Sequence, residues 1–77
     1  MGERIDKVIA QFPEIELSDL KQLVEDWNRE VSKIENQVGV KYKKLRSYGW
    51  KIRSLERLYS LEHPSYIPCL NKNLLYI

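Results

Sequence analysis

Hydrophobic residues recur along most of the chain at spacings of three and four positions, the repeat that places them on one face of an amphipathic helix. The first group consists of Ile5, Val8, Ile9 and Phe12. This group predicts a short helix over residues 3–12. Pro13 ends the helix, because a proline pushes the residue before it out of the helical conformation.

The second group of hydrophobic positions is longer and nearly heptad in its spacing. It consists of Leu17, Leu20, Val24, Trp27, Val31, Ile34 and Val38. It predicts a helix over residues 18–38, with Ser18 as the N-cap, whose hydroxyl accepts a hydrogen bond from a free backbone N–H of the first turn. Gly39 then ends the helix, since glycine readily adopts the left-handed conformation found just past many helix ends.

The third group predicts a helix over residues 41–62, which ends shortly before a proline. It consists of Leu45, Tyr48, Ile52, Leu55 and Tyr59. A single helix through the second and third groups would keep the same phase, because Val38 and Leu45 are seven residues apart. Two helices are favoured, since a glycine in a helix interior costs about 1 kcal/mol and both Gly39 and Gly49 would lie inside the single helix.

The stretch Val31–Trp50, VSKIENQVGVKYKKLRSYGW, resembles the helix-turn-helix of DNA-binding proteins. The positions that fill the crossing of the two helices in that motif are occupied here by Ile34, Val38, Gly39, Val40, Leu45 and Tyr48. Glu35 departs from the pattern, because the motif has alanine or another small residue where the helices touch. The resemblance implies that the second helix enters the major groove by its N-terminal face. The residues that would point outward there are Lys41, Tyr42, Lys43, Arg46 and Ser47.

The three helical segments predict an all-α fold. The 77 residues suffice for one domain, close to the lower size at which a core is stable by itself. We predict a three-helix domain over residues 1–63, with a short first helix and two longer helices arranged as a hairpin or a helix-turn-helix. Residues 64–77 form an apolar tail, which we expect to pack on the domain or on a partner. The predicted core contains Val24, Trp27, Val31, Ile34, Leu45, Ile52 and Leu55.

Charge is distributed unevenly between the two halves of the chain. Residues 1–40 contain nine acids and five bases, whereas residues 41–77 contain eight bases and two acids, so the halves carry net charges of −4 and +6. Such asymmetry indicates either that the halves pair with each other or that a basic surface meets an anionic partner. In a helical hairpin, the acidic second helix would pair its charges with those of the basic third helix.

The third helix also predicts a basic and aromatic face. Opposite its apolar stripe it carries Arg46, Trp50, Arg53 and Arg57, with Lys43 beside them. A tryptophan among arginines, facing away from the core, is typical of nucleic-acid-binding surfaces and of protein interfaces. The predicted nucleic-acid-binding residues are Lys41, Tyr42, Lys43, Lys44, Arg46, Trp50, Lys51, Arg53 and Arg57.

Two functions follow from this face. The first is a small regulator that binds DNA or RNA through the third helix, of the kind found in phages and mobile elements. The alternative is a protein-binding inhibitor or adaptor that presents a helical hairpin to a larger protein with an acidic or apolar groove. A homodimer is compatible with either function, because so small a core gains stability from a second copy.

Catalytic and metal chemistry has little support in the sequence. Cys69 is the sole cysteine, and neither a histidine nor a second cysteine lies near it to form a zinc site. His63 stands at a helix end, where a histidine commonly interacts with the helix dipole. We therefore predict no enzyme activity, cofactor or metal. The chain contains no apolar run long enough to span a bilayer and no signal-peptide core, so we expect a cytoplasmic protein without a membrane partner.

Overall fold

The structure, a computed structural model, describes residues 2–34, 41–72 and 74–75. Within these ranges the chain forms helices and no strand, which confirms the predicted all-α fold. The helices are α1, Gly2–Ala10, α2, Leu17–Ile34, and α3, Lys41–Glu62. The predicted last turn of α2, the glycine after it and the turn of the helix-turn-helix resemblance fall in residues 35–40, outside the described residues, so the resemblance stays a prediction.

The ends of α1 and α2 differ slightly from the predicted ones. α1 stops at Ala10, because the hydrogen bonds of the next turn span three residues instead of four. They run from the N–H of Gln11 to the carbonyl of Val8 and from the N–H of Phe12 to the carbonyl of Ile9, both at 3.2 Å. α2 begins earlier than expected. The carbonyl of Glu16 accepts the N–H of Leu20 at 3.2 Å, so Glu16 and not Ser18 takes the N-cap position.

α2 and α3 lie side by side and run in opposite directions. Towards the end of α2, the indole Nε1 of Trp27 donates a hydrogen bond to the carbonyl of Leu45 near the start of α3, at 2.8 Å. At the other end of the pair, Leu17 lines a groove together with Tyr59 and His63. α1 packs against both longer helices. The three helices therefore enclose one core.

Most of the predicted core residues are buried. Those confirmed as buried are Val24, Trp27, Val31, Ile52 and Leu55. Leu45 is only partly buried at the edge of the cluster, and the side chain of Ile34 lies outside the described part of the chain. Leu23 was missed by the heptad pattern but is fully buried. It lies where α2 faces α1, so α1 widens the apolar side of α2 beyond the stripe that faces α3.

Gly49 lies where the indole of Trp27 from α2 meets the backbone of α3. A Cβ atom built on Gly49 would lie 2.3 Å from Cζ2 of Trp27 and 2.8 Å from a methyl carbon of Leu75. Such contacts are far shorter than van der Waals distance, so a larger residue would have to displace the indole. A glycine that weakens the helix locally is thus required by tertiary packing, because it lets the indole of Trp27 lie against the backbone of α3.

The segment after α3 is tied to both longer helices by hydrogen bonds. The carboxylate oxygen Oε2 of Glu56 accepts one from the hydroxyl of Tyr66 and one from the N–H of Cys69, the latter at 3.0 Å. Asn28 of α2 donates from Nδ2 to the carbonyl of Cys69 at 3.2 Å, and its Oδ1 accepts the N–H of Asn71 at 2.7 Å. The backbone at Cys69 therefore bridges α2 and α3.

Leucines of the same C-terminal segment enter the core of the helices. Leu70, Leu74 and Leu75 are each at most 6% exposed and belong to the same cluster of buried side chains as Trp27 and Ile52. Leu75 reaches the contact between Trp27 and Gly49. The described part of the segment thus covers the core on a side that the three helices leave open.

Candidate nucleic-acid interface

The two sides of α3 differ in what covers them. Ile52, Leu55 and Tyr59 are buried against α2 and the C-terminal segment, as the apolar stripe predicts. Arg46 and Arg57 lie on the opposite side and are exposed to solvent. This separation follows from the helical repeat, because residues spaced by three and four positions share one side.

The predicted binding residues form two strips along α3. At about 100° per residue, Lys43, Arg46, Trp50, Arg53 and Arg57 fall within a sector of about 80°, which we call the outward face. Lys44 and Lys51 lie on a separate flank, about 100° further round, where Nζ of Lys51 is 5.8 Å from the ring centre of Tyr48. All these bases are exposed except Arg53, which is partly buried. The side chains of Lys41 and Tyr42 lie outside the described part of the chain.

Trp50 stands at the middle of the outward face. Its side chain is 38% exposed, although tryptophan is among the largest apolar residues. Cζ of the Arg53 guanidinium lies 5.0 Å from the ring centre of Trp50, within the range of a cation–π interaction. The arginine therefore keeps a positive charge beside the indole.

Glu56 does not face the bases of α3. It is the sole acidic residue between Lys41 and Ser60, yet its side chain is only 1% exposed, because it accepts hydrogen bonds from Tyr66 and Cys69 on the inward side. From Lys43 to Arg57, the outward face therefore carries positive charge without a carboxylate of its own helix, and the second acid of α3, Glu62, is exposed near the helix end.

The buried carboxylate of Glu56 affects its neighbour Tyr66 and is itself incompletely bonded. Burial raises the pKa of the Tyr66 hydroxyl well above its usual range, and the hydrogen bond to Glu56 and the negative charge of Glu56 raise it further. The other carboxylate oxygen, Oε1, is buried without a hydrogen-bond partner among the described residues. This role of Glu56 was not predicted from the sequence, although Glu56 lies about 40° from Ile52 on the helical projection.

Ion pairs of the described α2 residues join α2 to α1 and to itself, and pairing between α2 and α3 stays a prediction. The ion pairs there are Arg4 with Asp26, Arg29 with Asp26 at 3.5 Å, and Lys33 with Glu30 at 3.5 Å. These acids of α2, Asp26 and Glu30, thus pair with α1 and with their own helix.

The remaining features concern the described residues outside the outward face. No cluster of three or more His, Cys, Asp or Glu side chains there is placed to hold a metal ion. A cleft of about 800 Å³ between the three helices is lined by acids and bases together, including Asp26, which pairs with both Arg4 and Arg29. In the same ranges, no helix has the length and apolar character needed to cross a membrane.

Comparison of the chain with protein-family models, with curated proteins and with solved structures found no match. The surface of α3 is therefore the main basis for inferring a function.

Proposed function

We propose that this protein is a small nucleic-acid-binding regulator that contacts DNA or RNA with the outward face of α3. The observation that carries the proposal is the one-sided charge of this face. Its bases are turned to solvent, and the acid of the same stretch, Glu56, is turned into the core. A surface of this kind attracts a polyanion and is the electrostatic footprint expected of a nucleic-acid-binding protein.

The bases are spaced along the helix so that one strand can meet several of them. Arg46 and Arg57 are eleven residues apart, which corresponds to about 16 Å along the axis of α3, with Trp50 between them. Each base that neutralises a phosphate releases a condensed counterion, and this release supplies sequence-independent affinity. In this proposal the protein acts in the cytoplasm, and no metal, cofactor or reaction is involved.

Charge reversal on the outward face tests the proposal. The double variant Arg46→Glu with Arg57→Glu is expected to weaken binding to many sequences alike. It should also flatten the slope of log affinity against log salt by about 0.9 for duplex DNA, or about 0.7 for a single strand, per lost phosphate contact. The measurement is titration of labelled duplex and single strands at two salt concentrations.

A matched control separates the outward face from net charge in general. Lys21→Glu with Lys72→Glu makes the same change in net charge at exposed positions outside α3. Equal losses in the two double variants would show that the outward face is not the binding surface. A wild-type affinity weaker than ordinary non-specific binding, about 10⁻⁴ M near physiological salt, would remove the proposed function altogether.

The second candidate function is protein binding, and exposed leucines favour it. Leu58 and Leu61 are 45% and 75% exposed near the end of α3, and residues three apart are neighbours on a helix surface. An amphipathic helix offers such side chains as anchors to an apolar groove of a partner. Failure of the wild type to bind nucleic acid would leave this candidate, an inhibitor or adaptor module, as the better explanation of α3.

A further inference from the structure

We propose that the preferred ligand is a single-stranded stretch of nucleic acid, one of whose unpaired bases stacks on Trp50. This inference rests on the proposed nucleic-acid-binding function and names the form of nucleic acid that the outward face takes. It starts from the position of one side chain. The large planar ring of Trp50 is held partly exposed in the middle of a row of lysine and arginine side chains, where a solvated helix face ordinarily carries polar residues.

The flat shape of an exposed indole determines which part of a nucleic acid it can contact. The faces of duplex bases are covered by their neighbours, and a protein in the major groove reads their edges by hydrogen bonds. An indole offers a flat apolar surface, which matches the face of a base and not its edge. Unpaired bases expose their faces, and stacking them on aromatic side chains is how single strands are held without sequence preference.

Arg53 prepares Trp50 for this role. Its guanidinium lies over the indole, with Cζ 5.0 Å from the ring centre, and this cation–π contact favours the observed arrangement of the two side chains. Guanidinium planes themselves also stack on unpaired bases. A base that binds here therefore meets a surface that is already partly ordered, which reduces the entropy lost on binding.

Arginines on either side of Trp50 are placed to contact the phosphates that flank a stacked nucleotide. Arg46 precedes Trp50 by four residues and Arg57 follows it by seven, which places them about 6 Å and about 10 Å away along the helix axis. A strand that runs along α3 and stacks one base on Trp50 would meet a positive charge both before and after that base. The helix-turn-helix resemblance implies duplex DNA instead, so the two expectations can be separated by experiment.

The experiment compares oligothymidylate, oligouridylate and a mixed-sequence duplex of equal length, titrated against the wild type and three variants of Trp50. Trp50→Ala and Trp50→Leu are expected to weaken binding to single strands about fivefold to 150-fold, the range found for loss of one base–aromatic stack. Trp50→Phe keeps a flat ring and should retain most of the affinity. An exposed leucine of the same helix gives the matched control, Leu58→Ala, which should leave the affinity unchanged.

Tryptophan fluorescence of the wild type supplies a second readout that needs no variant. Trp27 is fully buried in the core and Trp50 is exposed, so quenching by a bound base reports on Trp50. Single strands should quench the emission and the duplex should not. The thymidylate and uridylate arms show whether DNA or RNA is preferred, and stacking in either arm supports the inference.

Tighter binding to the duplex than to either single strand would overturn this inference and leave the proposed function in place. So would single-strand affinity that is unchanged in Trp50→Leu, or single-strand binding without quenching. Absence of binding to all three ligands would remove the proposed function and this inference together.

Discussion

Two tryptophans lie on opposite sides of the backbone of α3 and show how differently the same residue is used. Trp27 comes from α2, is fully buried, donates its N–H to Leu45 and lies against Gly49. Trp50 follows Gly49 directly in sequence, yet it points outward, is 38% exposed and has the guanidinium of Arg53 near its ring. The first holds helices together, whereas the second offers a surface.

The difference teaches that the environment opposite each side of α3 decides the role of its residues. The inward side meets α2 and the C-terminal segment, so even a charged residue there, Glu56, is enclosed and bonded to Tyr66. The outward side meets solvent, so apolar residues there, such as Leu61, stay exposed. If the two sides have different roles, variants of the inward side should lower stability, whereas variants of the outward side should affect binding more than stability.

Removal of the buried indole should have the largest effect. Trp27→Ala is expected to lower the free energy of unfolding by about 3–5 kcal/mol, because it deletes a large buried side chain and leaves a cavity. Trp50→Ala should lower the same quantity clearly less, since its ring is partly in water already. Urea denaturation of both variants measures the difference, and equal losses would contradict the division between the two sides.

A methyl group at the contact between the helices should have the next largest effect. By helix propensity alone, Gly49→Ala would stabilise α3 by about 1 kcal/mol. The Cβ atom would, however, overlap the indole of Trp27, and overpacking of a core typically costs about 1–3 kcal/mol. We therefore expect a net decrease in the thermal midpoint. An increase would show that the indole moves aside at little cost.

Neutralising the buried carboxylate should cost less. Glu56→Gln keeps the size of the side chain but replaces an ionised acceptor, whose hydrogen bonds are roughly twice as strong as neutral ones, by an amide. We expect the free energy of unfolding to fall by about 1 kcal/mol. Glu62→Gln at an exposed position of the same helix is the control and should leave stability unchanged. Equal stability of Glu56→Gln and wild type would show that the bonds of Glu56 add little.

The smallest expected effect is a pH dependence that comes from Tyr66. Because its pKa is raised in the folded protein, its contribution to stability is complete below the unfolded pKa of about 10 and is lost as the pH rises above that value. Denaturation at several alkaline pH values should show stability falling more steeply in wild type than in Tyr66→Phe. Identical profiles would mean that other groups cause the loss.

The sequence by itself predicted the helices and the side of α3 that faces solvent. Both are local properties, since the repeat of apolar residues such as Ile52 and Leu55 fixes the buried stripe and leaves Arg46 and Arg57 opposite it. The end of α1 was predicted less well, because a change from hydrogen bonds that span four residues to bonds that span three, as near Phe12, does not alter the hydrophobic pattern.

Only the tertiary structure decided what the inward residues do. The chain at Cys69 joins Asn28 and Glu56, and these partners are 41 and 13 residues away in sequence. The same holds for Trp27 and Gly49, where the need for glycine comes from an indole on another helix. Periodicity reports which residues are apolar, but it does not report which distant groups lie opposite them. The hydrogen bonds that Glu56 accepts from Tyr66 and Cys69 therefore followed from the packing of a distant segment.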